Sequence, residues 1–135
     1  MMQLKRAILF LLLVLLIAAC KGESPTDPID KVVIRGRLSG VVTIGPNCPP
    51  PASCPTTPSD FARRKILVYN EAHTSVLFTV DIDSTGFYLI DLPLGRYTLD
   101  LQGLATDRTS DLPRVVDIIP NVVTSVNVGI DTGIR

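Results

Sequence analysis

Residues 83–99, DSTGFYLIDLPLGRYTL, decide the fold of this chain. Alternate positions are apolar on both sides of a central turn, and they place one row of side chains on a common face: Tyr88, Ile90, Leu92, Tyr97 and Leu99. A period of two is typical of a half-buried β-strand. Pro93-Leu94-Gly95 turns the chain, since Pro fixes φ and Gly tolerates a positive φ. The stretch therefore predicts two neighbouring strands with one buried face.

The same alternation recurs on both sides of this stretch. Even positions from Val32 to Ile44 are apolar or Gly. Further apolar strand-like runs cover residues 66–69, 75–83, 114–119 and 122–130. Short strands separated by turns are typical of an antiparallel sandwich. We therefore expect an all-β domain over residues 31–135, a seven-stranded Greek-key β-sandwich with no helix.

Three further motifs carry a family resemblance. They are Gly45-Pro46-x-Cys48-Pro49, Cys54-Pro55 and the closing Asp131-Thr132-Gly133-Ile134-Arg135. Together with residues 83–99 they resemble the carboxypeptidase regulatory-like domains, over residues 34–135. The resemblance implies a transthyretin-like (prealbumin-like) sandwich and a non-catalytic accessory role. The shared motifs are turns and core positions, so they are specific for the fold and weak for the function.

The beginning of the chain predicts an export signal. Lys5 and Arg6 precede an apolar run, residues 7–19, which is shorter than the about 20 residues of a membrane-spanning helix. The segment Ile17-Ala18-Ala19-Cys20 resembles the lipobox of bacterial lipoproteins, whose cysteine is acylated and becomes the first residue. The resemblance implies a signal peptide over residues 1–19 and lipidation of Cys20. A plain signal peptide with an incidental cysteine is the alternative.

The segment after Cys20 predicts a tether and a location. Residues 21–30, KGESPTDPID, are polar and contain two prolines, so we expect residues 20–30 to form a flexible lipidated tether. Two acyl chains give stable membrane anchoring. Lys21 differs from the Asp that typically retains lipoproteins at the inner membrane. The resemblance therefore implies the bacterial cell envelope, and the outer membrane in a diderm host.

A proline-rich segment holds the other two cysteines. Residues 45–60, GPNCPPPASCPTTPSD, contain six of the eleven prolines. In an exported protein we expect Cys48 and Cys54 to form a disulfide. A reactive thiol pair or half a zinc site is the alternative, although the spacing is not the C-x2-C of such sites. A stapled, stiff loop loses little entropy on binding, so we expect it to contact a partner.

Three polar motifs match known sites only in part. Asp131-Thr132-Gly133 matches the aspartic-protease triplet, but that chemistry needs two such Asp residues, so a polar strand end is the better interpretation. Asp81-x-Asp83-x-Thr85-Gly86 resembles a calcium loop whose twelfth position is Leu92 instead of Glu, which favours a turn. His73, the single histidine, has no accompanying hydrolase or zincin motif, and we expect it not to be catalytic.

One basic run remains, Arg63-Arg64-Lys65. It could bind an anionic partner or a lipid headgroup. Charges at the beginning of an edge strand usually keep that edge soluble, and we favour this second interpretation.

Composition limits the function further. Thirteen basic and thirteen acidic residues leave no net charge, so we expect no nucleic-acid partner, and one His with three Cys predicts no metal or other cofactor. The leading hypothesis is a non-catalytic interaction module, bound to the membrane through lipid on Cys20 and to another envelope protein. One alternative is a structural subunit of an envelope or secretion assembly that uses strand addition at a sheet edge. A carbohydrate-binding module is less favoured, because the chain has no Trp.

Overall fold

The computed structural model describes residues 33–135. Within these residues the chain forms eight strands and one short helix. In chain order they are β1 (Arg35–Gly45), α1 (Pro58–Ala62), β2 (Lys65–Asn70), β3 (Val76–Asp81), β4 (Phe87–Pro93), β5 (Gly95–Gln102), β6 (Arg114–Ile118), β7 (Val123–Ser125) and β8 (Val128–Asp131). The predicted signal peptide, Cys20 and the tether over residues 20–30 lie outside the described residues.

The strands form two sheets that face each other across the core. One sheet has the order β4-β1-β7, with β8 also paired to β1, and the other has the order β3-β2-β5-β6. The predicted all-β sandwich is confirmed. The single helix was not predicted, although Thr57, Pro58 and Asp60 provide its signal. Pro58 is at its first position, and the Asp60 carboxylate accepts bonds from the Thr57 N–H (2.8 Å) and hydroxyl (2.7 Å).

The last strand departs from a purely antiparallel arrangement. β7 and β8 run parallel to β1, whereas the other described pairs are antiparallel. The reason is topological, because β6 ends beside Gly95 and a short turn then starts β7 at the end of the sandwich where β1 also starts. β7 and β8 are two parts of one interrupted strand, which reconciles eight segments with the predicted seven strands. At the interruption, the Asn127 side-chain oxygen accepts the Val41 N–H (3.0 Å) in place of a backbone group.

Both sheets contribute to one hydrophobic core. Its buried apolar members are Leu38, Val42, Ile44, Phe61, Ile66, Val68, Val80, Ile82, Tyr88, Leu92, Tyr97, Leu99, Leu112, Val116, Ile118, Val126, Val128 and Ile130. The row predicted from residues 83–99 is buried except for Ile90, which is half-buried. The row does not lie on one sheet face as predicted, because β4 and β5 belong to different sheets and their inward side chains face the core from opposite sides. The Tyr88 hydroxyl donates to the Val126 carbonyl (2.6 Å), and burial raises the pKa of Tyr88 to about 12.

Two glycines are required by the backbone. A Cβ at Gly40 would lie 1.8 Å from the Val126 carbonyl oxygen, so only glycine lets β1 approach the β7–β8 segment so closely. Gly86 has φ +90°, in the turn between β3 and β4. These glycines fix how closely the interrupted strand packs and where the chain changes sheets.

Candidate functional site

The two ends of the sandwich carry different connections. β1 runs from one end to the other, and at the end where it begins the connections are short: residues 71–75, Leu94 and residues 119–122. At the end where β1 finishes, the connections are residues 46–64, 82–86 and 103–113, together with the closing residues 132–135. We call these the turn end and the loop end. Long ordered loops on a rigid scaffold are a usual place for binding residues.

The predicted disulfide lies in the first loop. Cys48 and Cys54 are joined, with their Cα atoms 5.7 Å apart, which is a usual separation for a disulfide. Within the bridge, the Ala52 N–H donates to the Pro49 carbonyl (3.1 Å) and closes a turn. The pairing is the one that the sequence predicts, and it makes residues 48–54 a small closed tip.

Side chains below the disulfide attach this tip to the sandwich. The Asn47 amide donates to the Thr56 hydroxyl (2.9 Å), which donates to the Ile44 carbonyl (3.1 Å) at the end of β1. On the other side, the Thr132 hydroxyl donates to the Pro46 carbonyl. Asn47 and Thr56 are therefore parts of a hydrogen-bonded stem that holds the exposed tip above them.

The tip is exposed and carries no charge. Pro49, Pro50, Pro51, Ala52 and Ser53 all face solvent. The sequence from residue 45 to residue 59 contains no Asp, Glu, Lys or Arg. The surface it presents consists of proline rings, one methyl group, one hydroxyl and backbone carbonyls, which can make apolar contacts and hydrogen bonds but no ion pairs.

A buried ion pair fixes the base of the loop end. Arg64 and Asp107 form two bonds (Nε–Oδ2 2.7 Å and Nη2–Oδ1 2.8 Å), and both side chains are only 2% exposed. Arg64 also donates to the Asp60 carbonyl (2.7 Å), and Asp107 accepts the Leu104 N–H (2.7 Å). Burial opposes ionisation of Asp107, but the bonds from Arg64 and Leu104 outweigh it and hold the pKa of Asp107 below its ordinary value. The pair thus connects α1 to the loop 103–113.

This pair corrects the interpretation of Arg63-Arg64-Lys65 as a solubilising charge on an edge strand. β2 lies between β3 and β5 and is not an edge, and Arg64 is buried. Arg63 stays exposed and bonds to Asp60 (2.8 Å). The sequence contained no signal for this role, because Arg64 and Asp107 are 43 positions apart.

Two grooves open at the loop end. One, of about 510 Å³, lies between the stapled loop, α1 and the closing residues, with Pro55, Arg63, Leu104 and Ile134 among its lining side chains. The other, of about 630 Å³, lies beside the ends of β1 and β8 and includes Arg108. Each groove mixes apolar and polar side chains, which suits a polypeptide surface better than an apolar small molecule.

The remaining polar motifs have structural roles. Asp83 Oδ1 accepts bonds from Thr85 (N–H 2.8 Å, hydroxyl 2.6 Å) and from the Phe87 N–H (3.0 Å), so this carboxylate closes the β3–β4 turn. The Thr85 hydroxyl and these N–H groups hold the pKa of Asp83 below its ordinary value. Asp131 forms an ion pair with Arg135 (2.6 Å) at the end of β8, and this bond, with the Gly133 N–H, lowers the pKa of Asp131 to about 2.

His73 lies in the β2–β3 turn at the turn end. Its Nε2 is 3.0 Å from an Asp100 oxygen, and its ring meets the Tyr69 ring edge-on at 4.3 Å between centroids. Among residues 33–135, no three His, Cys, Asp or Glu side chains are grouped as metal ligands would be. In the same residues, no helix is long and apolar enough to cross a membrane.

Comparisons with known proteins bear on the fold. No protein-family model and no curated protein matches the chain. Among solved structures, the chain is similar to GBS52, the minor pilin of Streptococcus agalactiae, with 14% identity and a TM-score of 0.52 over 73% of this chain and 44% of that one. A DUF3823 family protein from Bacteroides ovatus (17% identity, TM-score 0.46, 70% of this chain, 44% of that one) also matches.

A second DUF3823 family protein, from Parabacteroides merdae, matches with 16% identity and a TM-score of 0.46, over 73% of this chain and 46% of that one. The chain spans less than half the length of each of these three structures. At such low identity a match concerns the fold alone, and the pilin match places this chain among β-sandwich proteins.

Proposed function

We propose that this protein is a lipid-anchored cell-envelope protein whose sandwich is a non-catalytic interaction module that binds another envelope protein with its loop end. The observation that carries the proposal is the gathering of the stapled tip, the two larger grooves and the long loops at one end of the domain. A rigid scaffold with its variable segments at one end is a common design for protein recognition.

Chain topology gives this end a direction. The chain joins the sandwich at Arg35, at the turn end, and β1 then runs for 11 residues to the loop end. At about 3.3 Å a residue, β1 is about 35 Å long. A lipid on Cys20 is joined to the domain through the turn end, so β1 directs the tip away from the attachment point.

The lipobox resemblance of residues 17–20 supports the anchor, and the resemblance to carboxypeptidase regulatory-like domains supports an accessory role without catalysis. A second candidate function is a structural subunit of an envelope or secretion assembly. The observation that favours it is the open edges of β3 and β4, where another strand could be added. Carbohydrate binding is disfavoured, because Tyr88 and Tyr97 are buried and cannot stack on a sugar.

The anchor is tested by replacing its cysteine. In cells fed a fatty-acid analogue, we expect the wild-type chain to be labelled and membrane-bound and the Cys20→Ser variant to be unlabelled and unprocessed. Wild-type chain that is cleaved elsewhere, unlabelled and released would contradict the lipoprotein part of the proposal and leave the loop-end part intact.

The contact surface is tested by site-specific photo-crosslinking in intact cells. A photoreactive residue at Ala52, on the tip, is expected to give one discrete adduct with another envelope protein. Leu94 is the matched control, since it is also exposed but lies at the turn end. Adducts from position 94 with none from position 52 would place the contact at the wrong end and overturn the proposal.

A further inference from the structure

β4 is an edge strand, with β1 on one side and no strand of residues 33–135 on the other. Its orientation follows from the neighbouring hydrogen bonds. Val42, on β1, donates its N–H to the Gly86 carbonyl (2.7 Å), so the even-numbered backbone groups of β1 face β4. Ser39 accepts the Val126 N–H (2.9 Å), so the odd-numbered groups face away from β4.

The pairing register of β1 and β4 shows which backbone groups of β4 face β1 and which face the open edge. Leu38 is opposite Ile90 and Gly40 is opposite Tyr88, so the N–H and C=O groups of Ile90 and Tyr88 point to β1. The intervening Leu89 presents its N–H and C=O to the open edge, and so do the residues two positions before and after it.

Some of these edge groups are already used. The Phe87 N–H donates to the Asp83 carboxylate (3.0 Å), and the Phe87 carbonyl accepts the Asp83 N–H (2.9 Å). The Asp91 carbonyl accepts one bond from Arg35 (3.2 Å) and keeps a second lone pair. Among residues 33–135, the Leu89 N–H, the Leu89 C=O and the Asp91 N–H have no partner.

We propose that two copies of this chain pair antiparallel through β4, with the two-fold axis at Ile90. In this register Leu89 of each copy is opposite Asp91 of the other, and each such pair exchanges two backbone hydrogen bonds. Every free group at the edge is then used. The paired segment is confined to residues 89–91 of each copy, because the Asp83 backbone already lies against the edge of Phe87 and Pro93 has no N–H to donate.

Side chains on both faces suit the same register. On the inner face, Ile90 is half-buried although Tyr88 and Leu92 beside it are buried, and the two copies of Ile90 cover each other at the axis. On the outer face, the Asp91 carboxylate is bonded to Arg37 (2.9 Å) in its own copy, so no uncompensated like charges meet.

The pairing is a weak one in dilute solution. β4 has 7 residues, whereas a stable protein interface involves about 20–30 residues from each partner. The pairing rests on β4 alone and points the two loop ends in opposite directions. It goes beyond the loop-end contact, since it uses no residue of the tip or of the two grooves.

Cysteine crosslinking of the full chain in its cells tests the register. At a two-fold axis between non-hydrogen-bonded residues, the two Ile90 Cα atoms are about 4.5 Å apart, within disulfide range. Ile90→Cys is therefore expected to give a disulfide-linked homodimer under mild oxidation. Leu89→Cys is the matched control, because its two Cα atoms would be about 8 Å apart, and it is expected to give at most the background of the parent chain.

Equal crosslinking of the two variants at equal expression and melting temperature, or an adduct with a different protein only, would overturn the self-pairing. Leu89→Pro gives an independent check, because it removes an edge donor that β1 does not use. Combined with Ile90→Cys, it should abolish the homodimer while the melting curve still shows a folded domain. A homodimer that persists in a folded Leu89→Pro variant would contradict the register.

Discussion

The turn end and the loop end of this sandwich are built from different interactions. At the turn end, Pro93-Leu94-Gly95 joins β4 to β5 through the φ of +154° at Gly95, and the Tyr97 hydroxyl donates to the Pro93 carbonyl (3.0 Å). At the loop end, a disulfide, a helix and a buried ion pair hold long segments in place. The difference teaches that local turn chemistry suffices where connections are short, whereas long loops need fixed points from distant parts of the chain.

The largest effect is expected in the core that both ends share. Tyr88→Ala should lower the free energy of unfolding by about 3–5 kcal/mol, because it removes a buried ring and leaves the Val126 carbonyl without its donor. Chemical denaturation of the two proteins measures the difference. Tyr88→Phe is the control and should cost about 1–3 kcal/mol. A loss below about 1 kcal/mol for Tyr88→Ala would show that the alternation in residues 83–99 does not define the core.

The second-largest loss of stability is expected from breaking the Arg64–Asp107 ion pair, which holds the loop end. Arg64→Ala leaves the buried Asp107 carboxylate without a partner, and such changes cost about 3–5 kcal/mol at most. Arg63→Ala is the matched control, since that side chain is exposed and its loss should cost about 0–1 kcal/mol. Similar denaturation midpoints for the two variants would contradict the role given to Arg64.

Opening the disulfide should have a smaller effect. The double change Cys48→Ser and Cys54→Ser should lower stability by about 2 kcal/mol or less, because the bridge closes a short loop that prolines already stiffen. The sandwich should stay folded by circular dichroism. A thiol assay on the denatured, unreduced wild-type chain should find neither thiol free, and two free thiols would contradict the pairing.

Acid should weaken the carboxylate-bonded segments of the loop end before the β4–β5 turn, where the Gly95 N–H bonds to no carboxylate of residues 33–135. The Thr57 hydroxyl and N–H hold the pKa of Asp60 at about 2, and Arg135 does the same for Asp131. A carboxyl with a lowered pKa in the folded state stabilises the fold above its ordinary pKa of 3.8, and this contribution is lost as the pH falls toward 2. Hydrogen exchange between pH 4 and pH 2 should show protection lost first at the Thr57 and Gly133 amides. If the Gly95 amide loses its protection at a higher pH than the Thr57 and Gly133 amides, the prediction is wrong.

The two ends also differ in what the sequence could predict. The alternation of apolar and polar residues in 83–99 predicts the inward row, and the expected export to an oxidising compartment predicts the disulfide. The first signal is local in the sequence and the second is chemical. The helix α1 could have been found from Thr57, Pro58 and Asp60. The Arg64–Asp107 pair and the half-burial of Ile90 could not, because each depends on which distant segments the fold brings together or leaves open.

If the loop end binds the partner and the turn end does not, as proposed, one binding measurement shows the difference most directly. The partner is the protein identified by photo-crosslinking from position 52. Its affinity is measured for three full-chain proteins: the wild type, the tip variant that combines Pro50→Ala with Ser53→Ala, and the turn-end variant Leu94→Ala. The free energies of unfolding of all three should agree within about 0.5 kcal/mol, because the changed side chains are exposed. Binding by the tip variant should be about tenfold weaker than binding by the wild type, and binding by Leu94→Ala should be unchanged. Unchanged binding by the tip variant, with weaker binding by Leu94→Ala, would contradict the proposal.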